Sequence, residues 1–197
     1  MTMAQHLRFT IFSRILHWTM AVMVLAMLFI GVDMVASLTD YHWLVSNHQP
    51  LGILILILAA IRLVNRLLNP APPLPKGMPA WQRFAAQASH VVLYALMFAL
   101  PLVGWGMLSA ARYPMVLYGP LELPPILPQN AMLYAVLRSV HTVLGFLLFA
   151  TFIAHFGAAL MHALIYRDGV FPSMASWKAG GEFAVARQDD APTGRLF

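Results

Sequence analysis

Four stretches of this sequence run without a charged side chain for long enough to cross a lipid bilayer. Arg14 to Asp33 encloses 18 uncharged residues, Asp40 to Arg62 encloses 21, Arg83 to Arg112 encloses 28, and Arg138 to Arg167 another 28. An α-helix rises about 1.5 Å per residue, so roughly 20 apolar residues span the hydrocarbon core. The runs predict four transmembrane helices, at about 13–36, 47–68, 84–110 and 132–166. They do not alternate apolar with polar residues, which argues against a membrane β-barrel. Only 10% of the residues are charged, too few to cover the surface of a soluble domain, where about 25% is usual. The first run has a basic start and small residues near Ala36 and Ser37, as a signal peptide would. It is long for an h-region and contains His17 and Trp18, so it reads as the first span.

Composition closes off other chemistry. There is no cysteine, which excludes disulfides, thiolate catalysis, iron–sulfur clusters and covalent c-type haem attachment. The net charge of +5 does not indicate nucleic-acid binding, because the basic residues flank apolar runs. Ten of the twelve Lys and Arg fall on one side of a four-span bundle: Arg8, Arg14, Arg62, Arg66, Lys76, Arg83, Arg167, Lys178, Arg187 and Arg195. Only Arg112 and Arg138 fall on the other. Basic loops stay in the cytoplasm, so both termini are expected on the cytoplasmic side. The second and third spans are joined by the stiff segment Asn69-Pro-Ala-Pro-Pro-Leu-Pro. The outer connection from Arg112 to Gln129 holds five prolines and is long enough to cap the bundle. Residues 1–168 are expected to form one four-helix membrane domain, and 169–197 a polar, mobile cytoplasmic tail.

The chemistry lies in the histidines. Of eight, five or six fall within apolar runs, where an ionisable residue is costly and usually faces the bundle interior. His141 and His155 are 14 residues apart in the fourth span, nearly four turns, so they share a face at levels about 21 Å apart. His17, beginning the first span, matches the depth of His155. His48, beginning the second, matches His141. Two opposed imidazoles in a bundle suit the iron of a six-coordinate b-type haem. Zinc would need three or four ligands, and a proton relay would need carboxylates at these depths. Gly31, Gly52, Gly104, Gly106, Gly145 and Gly157 would admit flat porphyrin faces or simply serve helix packing. The expected fold is therefore an all-α integral membrane bundle of four helices binding two haems b. With no open iron position, its chemistry is electron transfer.

The membrane portion resembles the bacterial cytochrome b561 family. The matching stretches are Leu16-His17-Trp18, Asn47-His48 through Gly52, Ile61-Arg62 through Arg66 before Asn69-Pro70, and Ser89-His90 through Pro101. Arg138-Ser-Val-His141 followed by Gly145, His155 through His162, and Tyr166-Arg-Asp168 complete the series. The resemblance implies His17 and His155 as ligands of the inner haem, and His48 and His141 as ligands of the outer one. Within the family the sequence is most similar to the superoxide oxidase branch. That implies oxidation of superoxide at the periplasmic face and reduction of ubiquinone near the inner haem.

Other residues take expected roles within that frame. Arg138, three residues before His141, is a candidate for steering superoxide, for binding a haem propionate, or for snorkelling to the interface. Arg62 and Arg66 are candidates for inner propionate, quinone or lipid headgroup contacts. His162 is a candidate quinone contact and proton donor, or a structural hydrogen bond. His90, taken to begin the third span, has a smaller claim of the same kind. His6 and His42 read as solvent-exposed. Two other functions stay open. One is a haem b subunit relaying electrons between a partner dehydrogenase or hydrogenase and quinone. The other is a non-redox scaffold or transporter.

Overall fold

The computed structural model describes residues 8–75 and 77–176. His6, Lys76 and the expected tail from 177 onward lie outside these residues. The order is α1 (Ile11–Ala36), α2 (Tyr41–Leu68), α3 (Ala80–Ala111), β1 (Met115–Tyr118), β2 (Leu121–Leu123), α4 (Ala131–Met161), a π-helical turn (His162–Tyr166) and α5 (Val170–Ala175). All four long helices are long and apolar enough to cross a membrane, with mean hydropathy of 2.1–2.2 over their spans.

The helices extend beyond the apolar runs. α2 starts at Tyr41 rather than near 47, and α3 at Ala80 rather than near 84. Absence of charge marks only the lipid-buried part. Polar and aromatic residues such as Tyr41-His42-Trp43 and Trp81-Gln82-Arg83 continue the helix into the interface. Two expectations shift as a result. His48 lies in the third turn of α2, and His90 lies ten residues into α3, at membrane depth. α1 and α4 begin at side-chain caps. The Thr10 hydroxyl accepts from the Ser13 amide at 3.2 Å, and Asn130 Oδ1 from the Leu133 amide at 2.9 Å.

α1 packs along α2 and α3 along α4, with α2 against α3 between them, whereas α4 makes few close backbone approaches to α1 and fewer to α2. At mid-depth the buried residues Val24, Ile55, Leu96 and Leu148 contribute one side chain from each helix. Val24 follows His17 by seven residues and Ile55 follows His48 by seven. Leu148 stands seven from both His141 and His155. Seven residues is nearly two turns, so this layer lies on the histidine-bearing faces, midway between them.

The ends of the bundle differ. At the hairpin end, the expected proline-rich cap contains a two-stranded antiparallel hairpin, a β element that the all-α expectation lacked. Its turn uses Gly119 at φ 54°. The Val116 amide donates to Gln49 Oε1 at 3.1 Å, and Trp105 Nε1 to the Pro124 carbonyl at 3.0 Å. Cap and helices are thus joined next to His48. At the terminal end, Asn65 Nδ2 donates to Ser13 Oγ at 2.7 Å, tying α2 to α1. α5 falls inside the segment expected as mobile tail, yet it docks on α1. The Phe9 amide donates to the Ser173 carbonyl at 3.3 Å, Trp18 Nε1 to the Met174 carbonyl at 3.3 Å, and Arg14 Nη1 to the Ser176 carbonyl. These carbonyls lie at and just beyond the end of a short helix, where acceptors are left without intrahelical partners.

Replacing Leu148 by Ala should open a cavity in the buried layer to which all four helices contribute. The expected loss is about 2 kcal/mol, the low end for such truncations because lipid tails are as apolar as the core. Thermal unfolding in detergent should show a lower midpoint for Leu148→Ala than for Phe146→Ala, whose side chain is exposed.

Candidate functional site: two histidine levels in the bundle

His48 on α2 and His141 on α4 face each other at the hairpin end, with ring centres 6.1 Å apart and planes at 64°. His17 on α1 and His155 on α4 do the same at the terminal end, at 6.4 Å and 76°. An imidazole nitrogen binds a metal at about 2.0–2.1 Å and its ring centre sits about 1.1 Å behind, so two imidazoles on opposite sides of one ion keep centres about 6.2–6.4 Å apart. Both separations fall close to that value.

The surroundings of the hairpin-end pair leave room for a planar macrocycle. The pairs bridge α4 to α1 and α4 to α2, the seams where backbones stay apart. Nδ1 of His48 and Nδ1 of His141 are buried without a hydrogen-bond partner. A methyl group added at Gly31 or Gly145 would meet nothing within 4 Å, so open space lies beside these helix faces. Two-sided imidazole coordination suits haem iron better than an ion that needs four ligands.

A third histidine joins the terminal-end pair. The His90 ring centre is 5.2 Å from that of His155, and its Nδ1 donates to the Ala86 carbonyl at 2.7 Å. The sequence placed His90 at a helix start and so understated it. Beside it lies a cavity lined by Ser13, Arg62, Asn65, Arg66, His90 and Tyr94, among others. Arg62 Nε donates to the Tyr94 hydroxyl at 3.0 Å, while its Nη1 is buried without a partner. The Arg66 guanidinium lies over the Phe9 ring at 5.5 Å from its centre. The cavity can therefore present guanidinium donors to an anion or a carbonyl oxygen. Tyr94 and Asn65 were missed in the sequence. Their offsets from His90 (four residues) and Arg62 (three) put them on the same helix faces and would have found them.

The other candidates stand apart from this cavity. His162 opens the π-helical turn, donates from Nδ1 to Asp168 Oδ2 at 2.7 Å and tilts against Tyr166, ring centres 5.2 Å apart. It does not line the cavity. Arg138 is exposed and directs Nη1 toward the Tyr134 hydroxyl at 3.4 Å. Arg112 caps α3 in the left-handed region at φ 60° and lines a separate cavity with Trp105, Ser109 and Glu122, to which Arg138 does not contribute. His42 is exposed, as expected.

A family model described as prokaryotic cytochrome b561 matches residues 8–177. Cytochrome b561 homolog 2 of Escherichia coli (strain K12) is 30% identical over 182 residues, covering 90% of this chain and 96% of the relative. Cytochrome b561 homolog 1 of the same organism is 29% identical over 139 residues, covering 69% and 77%. A probable superoxide oxidase, CybB, of Yersinia pestis is 29% identical over 167 residues, covering 84% and 94%.

Tyr94→Phe should remove the acceptor that holds Arg62 and leave a second buried guanidinium nitrogen unpaired. The expected cost is about 1.5–3 kcal/mol, the range for a hydrogen bond to a charged group. It should appear as a lower thermal midpoint in detergent, absent when Arg62→Met is already in place.

Proposed function

The chain belongs to the prokaryotic cytochrome b561 family, membrane haem proteins of electron transfer, and from that premise we propose that it is a di-haem superoxide:ubiquinone oxidoreductase of the bacterial inner membrane. His48 and His141 would hold one haem b, and His17 and His155 the other. The observation that carries this is the geometry of the two pairs, one at each end of a 14-residue spacing on α4, each near the separation of two imidazoles sharing one metal. Both termini are assigned to the cytoplasm from the basic residues at the terminal end. The hairpin end is then periplasmic.

Bound haem b would supply a one-electron redox centre at each level, with His48 and His141 holding it at one and His17 and His155 at the other. The residues do the rest. The hairpin cap and Arg138 govern approach from the periplasm. The Val24, Ile55, Leu96 and Leu148 layer keeps water out of the interval between the two levels. At the terminal end, Arg62 and Arg66 bind propionate or quinone oxygen, and Tyr94 holds Arg62 in place. His162, with Asp168 behind it, stands at the cytoplasmic edge of α4 as a proton donor. Two superoxide ions each lose one electron and leave as dioxygen. The two electrons and two cytoplasmic protons convert ubiquinone to ubiquinol.

The name of the Yersinia pestis relative supports superoxide as donor. One observation favours a second reading, a haem subunit passing electrons between a partner enzyme and quinone. The hairpin end carries Asp33, Asp40 and Glu122 against Arg112 and Arg138, which does not by itself invite an anion.

Two experiments test the proposal. His17→Ala and His155→Ala should each remove the same spectral component of the purified cytochrome, and His48→Ala and His141→Ala the other. Loss of one shared component by His17→Ala and His48→Ala would break the pairing. Stopped-flow mixing of the oxidised protein with superoxide should reduce haem at a rate that falls with ionic strength and with Arg138→Gln. A rate indifferent to both favours the partner-subunit reading.

A further inference from the structure

At several helix glycines no protein atom stands close enough to resist a side chain. A Cβ at Gly31, Gly145 or Gly157 meets nothing within 4 Å, and one at Gly52 makes an ordinary 3.7 Å contact with Met27. At Gly106 it would meet Leu127 Cδ1 at 2.9 Å, the far end of a side chain that can swing away. Gly104 differs. A Cβ there would lie 3.2 Å from Cε1 and 3.5 Å from Nδ1 of His141. Carbon atoms rest about 3.5–4.0 Å apart, so the closer contact is inside the comfortable range.

The neighbour is also one that yields poorly. His141 is a rigid ring on α4, and α4 packs closely along α3. The Nδ1–Cε1 edge faces Gly104, so the Nε2–Cδ2 edge is turned away from α3. Nδ1 is buried, without a completed hydrogen bond, and the Leu100 carbonyl one turn before Gly104 is the backbone acceptor beside it. The bare backbone at Gly104 therefore forms the wall against which this ring rests.

We propose that Gly104 is a positioning residue for His141: its missing side chain lets the imidazole lie against the α3 backbone, which sets the ring's angle and distance relative to His48. The inference rests on the reading of His48 and His141 as the axial pair of one haem. A methyl group at 104 must push the ring along or about its Cβ–Cγ bond, changing the 64° angle or the 6.1 Å separation. Orientation of an axial imidazole and its outer hydrogen bond tune the potential and the spectrum of the iron that it binds.

The test uses the full-length cytochrome in detergent, wild type beside Gly104→Ala and Gly77→Ala, the latter in the connection between α2 and α3 where an added methyl meets nothing within 4 Å. Haem per chain, the low-spin ferric EPR spectrum and a potentiometric titration are measured on each. Two haem components in the wild type, one of them shifted in g value and midpoint by Gly104→Ala and neither by Gly77→Ala, is the expected result. The shifted component should be the one that His48→Ala removes. Wild-type protein without a Soret band would overturn the haem reading and this inference with it. Two intact components unchanged by Gly104→Ala would overturn only the inference, as would a shift confined to the component removed by His17→Ala. Should Gly104→Ala fail to retain haem, thermal midpoints decide. Gly104→Ala should lower the midpoint in the wild-type background but not in His141→Ala. Equal lowering in both backgrounds would make Gly104 a helix-packing residue and end the proposal.

Discussion

An imidazole held at the depth of lipid tails needs a partner, and this structure is organised around that need. Water is not at hand to satisfy it, and an unsatisfied polar group in hydrocarbon is costly. α4 carries two such rings, one near each end of its span, and both turn toward the bundle. The helix therefore packs closely on α3 and leaves its seams with α1 and α2 open. Where a purely structural bundle would close these seams with small residues, this one keeps them apart and places a second imidazole across each.

The layer of Val24, Ile55, Leu96 and Leu148 follows from the same register. A seven-residue offset from each histidine leaves the same helix faces available for apolar contact halfway between the two levels. This buried apolar layer stands between the two histidine levels.

The two ends of the bundle are built differently. The terminal end gathers Arg62, Arg66, Ser13, Asn65 and Tyr94 around His90, a set of donors suited to anionic or carbonyl oxygen. α5 closes against α1 on the same side, with Met174 reaching the cavity. The hairpin end is covered by backbone-to-side-chain links from Gln49, Ser109 and Trp105, and its two arginines lie apart.

Much of this was legible in the residues. Length without charge defined four spans, because hydrocarbon tolerates few ions and a helix needs a known number of residues to cross it. A 14-residue spacing placed two histidines on one face of α4, because helical geometry is periodic. The basic bias separated the ends. Tertiary structure decided what periodicity cannot reach. Helices run on into the interface, where propensity and caps rather than hydropathy end them, so His90 came to lie beside His155. The proline-rich connection formed a hairpin because its amides found acceptors on α2 and α3. His162 turned to Asp168 because the π-helical turn altered the register beyond Met161. The role of Gly104 was invisible in one dimension, since a missing side chain acquires meaning only from the ring packed against it on another helix.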